Sequence, residues 1–107
     1  MNFFLDPEGW QTLAPSAIPH APHEHAPLEL DSEGLDRIER AFADAAVRAE
    51  RLGIDGLELH SAHGYLMHEF VSPISNRRTD EYGGSIENRI RFPVESFVRF
   101  VAVFATL

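Results

Sequence analysis

The sequence predicts an α/β fold, and three observations support it. An amphipathic helical pattern occupies residues 31–52, a tight turn at Gly53 follows, and a short apolar strand pattern runs through residues 54–60. Helix, short turn and strand form the αβ half of a βαβ unit. The 107 residues suit one domain, in which a loop or extended arm (1–30) precedes the folded part (31–107).

Composition and charge exclude several functions. The chain has 44% hydrophobic and 24% charged residues, as globular proteins do, and a formal net charge of −8 that disfavours a broad grip on nucleic acid or an anionic membrane. There is no cysteine, so disulfides and thiolate metal sites are excluded. Since we recognise neither a secretory signal nor a membrane-spanning stretch, we expect a cytoplasmic protein.

The arm at residues 1–30 holds five of the seven prolines, which disfavours any regular element longer than a turn. It also holds His20, His23 and His25. Histidines in a segment without fixed geometry are more often solvated than metal-bound, so we assign no metal to them.

The helix at 31–52 has signals at both ends. Asp31 or Ser32 is placed to cap its first amides, and Gly53 can take the left-handed conformation that ends it. Its apolar positions recur every three or four residues and predict the buried face: Leu35, Ile38, Phe42, Ala45, Ala46, Ala49 and Leu52.

The strand at 54–60 has two chemically different faces. Leu57 and Leu59 point one way, and Glu58 and His60 point the other. A sheet with one face in water would explain this pattern. In a closed parallel barrel, Glu58 and His60 would instead face the interior, with His60 at the carboxyl end of the strand, where such barrels hold their active sites. Both interpretations remain open on pattern alone.

Residues 61–84 form a long polar loop that we predict to be functional. Gly64 lets the backbone turn beside His63, so His60, His63 and Tyr65 can converge. Two imidazoles and a phenol can donate hydrogen bonds to one oxygen that carries negative charge, which predicts an oxyanion or carbonyl site.

A metal site is the competing interpretation of this loop, because His60, His63, His68 and Glu69 are all ligand types. Their spacing is not that of a helical His-Glu-x-x-His motif, and Gly64 interrupts a helical face, so we predict no metal. For His68, a structural and a functional role stay equally open.

The segment "GLELHSAHGYLMHEFVSPISNRRTDEYGGSIENRIRF" closely resembles the Old Yellow Enzyme family of FMN-dependent, NADH:flavin oxidoreductase-type ene-reductases, and "GWQTLAPSAIP" resembles an upstream segment of it. The resemblance implies a TIM (β/α)8 barrel in which residues 54–60 are the fourth strand. It implies FMN as cofactor and NADH or NADPH as reductant. His60 and His63 would bind the carbonyl or phenolate oxygen of an enone or phenolic ligand, and Tyr65 would contact the substrate and donate a proton.

The rest of the resembling segment points to architecture. We expect a hydrogen-bonded lattice in the loop, a tight turn at Gly83 and Gly84, and a helix at 85–107 that Ser85 caps and Pro93 kinks. The lattice residues are Asn76, Arg77, Arg78, Asp80 and Tyr82.

A complete barrel of this kind takes about 250 residues, so 107 cannot close one. We therefore predict a TIM-barrel fragment with helix, strand and active-site loop, a truncated or partial chain that is inactive alone. Regions for the flavin ring and phosphate have no counterpart, so the cofactor-binding residues remain unassigned. Exposed barrel faces predict self-association, and the alternative function is a non-catalytic remnant or association module.

Overall fold

The computed structural model of the chain describes residues 9–104. The parts of the predicted arm and last helix at 1–8 and 105–107 lie outside the described residues. The elements in chain order are β1 (Leu13–Ala14), β2 (Leu28–Glu29), α1 (Ser32–Arg51), α2 (Leu66–Val71), α3 (Ile86–Arg89) and α4 (Arg91–Phe104).

The described sheet is small, parallel and open. Strands β1 and β2 pair in the register Leu13 to Leu28 and Ala14 to Glu29. The amide of Leu28 donates to the Thr12 carbonyl, and the amide of Leu30 donates to the Ala14 carbonyl, each at 2.9 Å. The predicted arm thus contains two strands of two residues each, which form a two-stranded parallel sheet.

Residues 54–60, where we predicted a strand, form none in the structure. A strand needs a neighbour to complete its hydrogen bonds, and no described segment pairs with this one. The predicted alternation is present in side-chain burial: Leu57 and Leu59 are half-buried, while Glu58 and His60 are exposed. The pattern was recognised correctly, but the strand prediction is wrong for the described chain.

Helix α1 begins where its cap signal lies. The Asp31 carboxylate accepts from the Gly34 amide at 2.7 Å, and Gly53 has φ +75° just beyond the end. The buried face is narrower than predicted, because Ala45 and Leu52 are exposed, Leu52 to 78%. Helix α4 covers one stripe of α1, and that stripe includes the polar Glu39.

The predicted helix at 85–107 is two helices. Helix α3 ends at Arg89, with Ile90 as its C-cap, and α4 begins at Arg91, so Pro93 lies in the first turn of α4. Proline is tolerated there because the amide it lacks would have no partner within the helix. The helical segment is therefore interrupted at Ile90, before Pro93, and there is no kink at Pro93 itself.

The described core lies between the sheet and the helices. It is formed by Leu30, Leu35, Met67, Phe70 and Phe92, and the rings of Phe70 and Phe92 are 4.6 Å apart. No helix within residues 9–104 is long and apolar enough to cross a membrane.

Candidate functional site

Three aromatic side chains meet on the surface just before α2. The ring centroid of His60 lies 5.1 Å from that of His63 and 5.2 Å from that of Tyr65. All three residues are exposed, Tyr65 to 65%. The structure therefore brings together the three residues singled out from the sequence as an oxygen-binding cluster, and their roles stay a prediction.

A left-handed turn produces this convergence. His63 has φ +59° and Gly64 has φ +78°, two consecutive residues in the region that glycine adopts easily. A non-glycine residue there is uncommon, although histidine is enriched among those that occur. The turn reverses the chain between His60 and Tyr65, so side chains that an extended backbone would separate lie side by side.

His68 contacts the same turn from α2. Its Nδ1 accepts a hydrogen bond from the Gly64 amide at 2.9 Å. Of the two roles left open for His68, the structure therefore shows a structural contact, and residue patterning alone gave no signal of it.

A groove of about 670 Å3 opens beside the cluster. His63 and Tyr65 lie on one side of it, and His20 and His25 of the arm contribute to its lining. Glu69 also lines the groove, and burial raises the pKa of its carboxyl while the charge of His20 opposes that rise. Sequence reasoning treated the arm histidines as solvated and missed that two of them line a groove.

Arg78 anchors the loop that follows α2. Its guanidinium is buried and donates to the carbonyl oxygens of Pro15 at 2.9 Å and Leu30 at 2.7 Å, one residue beyond each strand of the sheet. The Nε and Nη2 atoms of the same guanidinium donate to the two carboxylate oxygens of Asp80, at 3.0 and 2.6 Å. Hydrogen bonding from Arg78 lowers the pKa of Asp80 below its usual range.

Asn76 fixes the rest of the loop. Its buried amide donates to the carbonyls of Phe70 at 2.7 Å and Tyr82 at 2.9 Å, and its oxygen accepts from the Arg78 amide at 3.0 Å. Ser16, at the end of the sheet, accepts from the Arg77 amide at 2.8 Å. These contacts hold the loop against the sheet, as expected of an architectural lattice.

The cluster can donate hydrogen bonds to a ligand oxygen from two imidazoles and a phenol. Its exposure means that water competes for these donors in the described chain. Within residues 9–104, no group of three or more His, Asp and Glu side chains is arranged to hold a metal ion.

The sequence profile of the NADH:flavin oxidoreductase / NADH oxidase family matches residues 8–103, nearly the whole chain. The chain belongs to this family. It is 57% identical over 79 residues to an NADPH dehydrogenase of Bacillus velezensis, an alignment that covers 74% of this chain and 23% of that protein. It is 51% identical over 88 residues to an NADH oxidase of Thermoanaerobacter brockii, covering 82% of this chain and 14% of that one.

Solved structures agree on the fold. The chain superimposes on morphinone reductase, solved in complex with tetrahydroNAD, with a TM-score of 0.84 and 36% identity, covering 95% of this chain and 32% of that one. The Old Yellow Enzyme homologue from Zymomonas mobilis superimposes with a TM-score of 0.81 and 34% identity, covering 89% of this chain and 29% of that one. This member of the Old Yellow Enzyme family thus corresponds to part of a TIM-barrel enzyme, and it spans about a quarter or less of the length of the curated relatives.

Proposed function

We propose that the chain supplies the substrate-binding segment of an FMN-dependent NAD(P)H:flavin oxidoreductase that reduces activated C=C bonds of enones. His60 and His63 donate hydrogen bonds to the carbonyl oxygen of the enone, and Tyr65 donates the proton to its α-carbon. Phenols bind the same donors as phenolates. The chain alone is inactive, because the cluster is exposed to water and the barrel is open.

The observation that carries the proposal is the approach of the His63 and Tyr65 rings to within 5.1 and 5.2 Å of the His60 ring. Negative charge develops on the carbonyl oxygen of an enone as its β-carbon is reduced. Donors already aimed at that oxygen stabilise the charge without having to reorganise. Family membership supports the reaction class, and the relatives include both an NADPH dehydrogenase and an NADH oxidase, so the choice of reductant stays open.

Three arginines in and after the loop at 61–84 already bind groups of the chain itself. A flavin phosphate needs converging cationic or amide donors. Arg78 is committed to carbonyls and Asp80, while Arg89 and Arg91 donate to carbonyl oxygens of the loop. We therefore assign this chain the substrate side of the reaction and leave the residues that contact FMN unassigned.

A first test uses the isolated chain. Incubated with FMN and desalted, it should retain no flavin, because the regions that the family resemblance assigns to the flavin ring and phosphate have no counterpart in it. Absorbance of the desalted protein measures this, and a stoichiometrically yellow chain would contradict the assignment.

The decisive test needs a completed barrel, made by adding the missing strands of a related reductase around residues 9–92. His60→Ala or His63→Ala should weaken phenolate binding and slow flavin reoxidation by an enone about 100-fold, the typical effect of losing one oxyanion donor. FMN content should stay nearly unchanged, because the defect concerns substrate. Tyr65→Phe should retain phenolate binding better yet slow enone reduction, since only the proton source is lost.

A matched control is His23→Ala, which removes an exposed imidazole outside both the cluster and the groove lining. It should reoxidise like the parent barrel. Unchanged reoxidation in both cluster variants would refute the proposal. Parallel loss of stability and flavin would instead indicate core residues, and loss of activity with a chelator would indicate zinc.

The second candidate function is a non-catalytic association module. Exposed apolar side chains on α4 favour it: Val94, Phe97 and Val98 are 51 to 58% exposed. A completed barrel that binds phenolate through His60 and His63 would argue against this alternative.

A further inference from the structure

The hydrogen bond between α2 and the turn it follows bears on how the cluster is held. Gly64 is exposed, and its amide donates to Nδ1 of His68 at 2.9 Å. An imidazole nitrogen accepts only when it carries no proton, so the neutral ring must carry its hydrogen on Nε2. The contact therefore fixes one tautomer and one orientation of His68.

The bonded amide lies at the centre of the turn. His63 precedes Gly64 and Tyr65 follows it. Both His63 and Gly64 are left-handed, and the rings of His63 and Tyr65 lie 5.1 and 5.2 Å from that of His60. A second bond, from the Tyr65 amide to the Ala62 carbonyl at 3.2 Å, closes the turn from the other side. The bond from Gly64 to His68 is the side-chain contact that ties this turn to the helix, beside the main-chain bond from the Glu69 amide to the Tyr65 carbonyl at 2.9 Å. Met67 and Phe70 of that helix are buried in the core.

We propose that His68 is a positioning residue: its Nδ1 holds the Gly64 amide and so keeps the left-handed turn that presents His63 and Tyr65 next to His60. This inference rests on the proposed function, which gives the three rings their common ligand. His68 itself is assigned no contact with substrate.

Three substitutions at His68 test whether the turn depends on a hydrogen-bond acceptor or only on the size of the side chain. His68→Asn places an amide oxygen on Cγ, the atom that carries Nδ1 in histidine, and should preserve the bond. His68→Gln moves the oxygen one bond further along the side chain, and His68→Leu keeps similar bulk without any acceptor. We expect His68→Asn to behave like the parent, and His68→Gln and His68→Leu to behave like each other.

The test uses the full chain, labelled with 15N and 13C and sedimented for magic-angle-spinning NMR, which reads self-associated protein as well. The parent and His68→Asn should show proximity between the rings of His60 and Tyr65. His68→Gln and His68→Leu should lose it, and their Gly64 amide should exchange roughly 2- to 10-fold faster, as expected for one lost hydrogen bond of ordinary strength. In the parent, a 15N coupling should join the Gly64 amide to His68 Nδ1.

The contact between Phe70 and Phe92, at 4.6 Å, is the internal control for folding. Loss of that contact in every variant would show a general structural role and overturn the proposal, as would intact ring proximity in His68→Leu or failure of His68→Asn to rescue it. Phenolate binding in the completed barrel separates this from the proposed function. If the parent barrel binds no phenolate while the NMR result holds, only the proposed function fails.

Discussion

Arg78 binds the loop that follows α2 to both strands of the sheet. Only 4% of its side chain is exposed, and it donates to two main-chain carbonyls and to Asp80. Because replacing it with alanine leaves buried acceptors without a donor, we expect Arg78→Ala to lower the free energy of unfolding by about 3 kcal/mol. Arg78→Lys should also destabilise, since an ammonium cannot reproduce the fork.

Urea denaturation followed by circular dichroism measures this loss. The matched control is Arg40→Ala, which removes a guanidinium whose ion pair with Asp36 is 61% and 55% exposed. Such surface pairs contribute about 0 to 1 kcal/mol. Equal losses in the two variants would contradict the anchoring role of Arg78.

Tyr82 gives the chain an alkaline limit to its stability. Burial, followed by the hydrogen bond that its hydroxyl donates to Glu95 at 3.0 Å, raises the pKa of Tyr82 from 10.0 to about 12. The folded state thus favours the neutral phenol. Its contribution to stability is fully present below pH 10 and is lost as the pH rises through about 12.

The composition makes this effect measurable. The chain has two tyrosines, no cysteine and no lysine, so few other groups titrate in that window. The unfolding free energy of the parent should fall from pH 10 towards 12, and Tyr82→Phe should flatten the fall. Tyr65→Phe, which changes the exposed tyrosine, should leave it in place. An equal slope in the parent and Tyr82→Phe would refute the assignment.

At the scale of elements, a tight turn brings the chain back onto Arg78. A side-chain carbon built on Gly83 would overlap the Arg78 carbonyl oxygen and lie 2.6 Å from its Cβ, whereas one built on Gly56 meets nothing within 4 Å. We expect Gly83→Ala to destabilise by about 1 to 3 kcal/mol, as overpacking does, and Gly56→Ala to change little. Thermal melts of both variants test this, and two similar melting temperatures would contradict it.

Sequence-based predictions succeeded where a feature depends on residues close together in sequence and failed where it depends on distant ones. Helix caps depend on residues three positions apart, and the expected bonds at Asp31 and Ser85 are present. The strand at 54–60 failed because its hydrogen bonds depend on distant neighbours that patterning cannot supply. Glu39 was missed because its burial depends on α4, where Arg99 binds it at 3.0 Å.

The candidate site shows the same limit. The conformational freedom of Gly64 predicted a turn that would bring His60, His63 and Tyr65 together, and the rings of His63 and Tyr65 do lie beside that of His60. Two contributions depend on segments distant in sequence or on side-chain reach: the arm histidines in the groove and the bond from Gly64 to His68. Patterning within one segment carries no information on either.

At the scale of the whole molecule, an open barrel segment leaves apolar surface in water. Phe97 and Val98 lie three and four positions after Val94 on α4, and the three residues form an exposed stripe, while the net charge of −8 makes copies repel. We expect self-association that strengthens with salt, because ions screen the repulsion but not the apolar attraction. Sedimentation velocity at low and high ionic strength measures it.

Phe97→Glu tests whether this stripe is the contact, because it introduces a charge at the centre of the stripe. Leu52→Glu is its matched control: it adds the same charge at a residue that is 78% exposed but lies just beyond α1, outside the stripe. Phe97→Glu should sediment as a monomer at salt concentrations where Leu52→Glu still associates. If both variants dissociate equally, the added charge and not the stripe controls association. A parent chain that stays monomeric at every salt concentration and melts in one sharp two-state transition would show that the exposed stripe does not cause association.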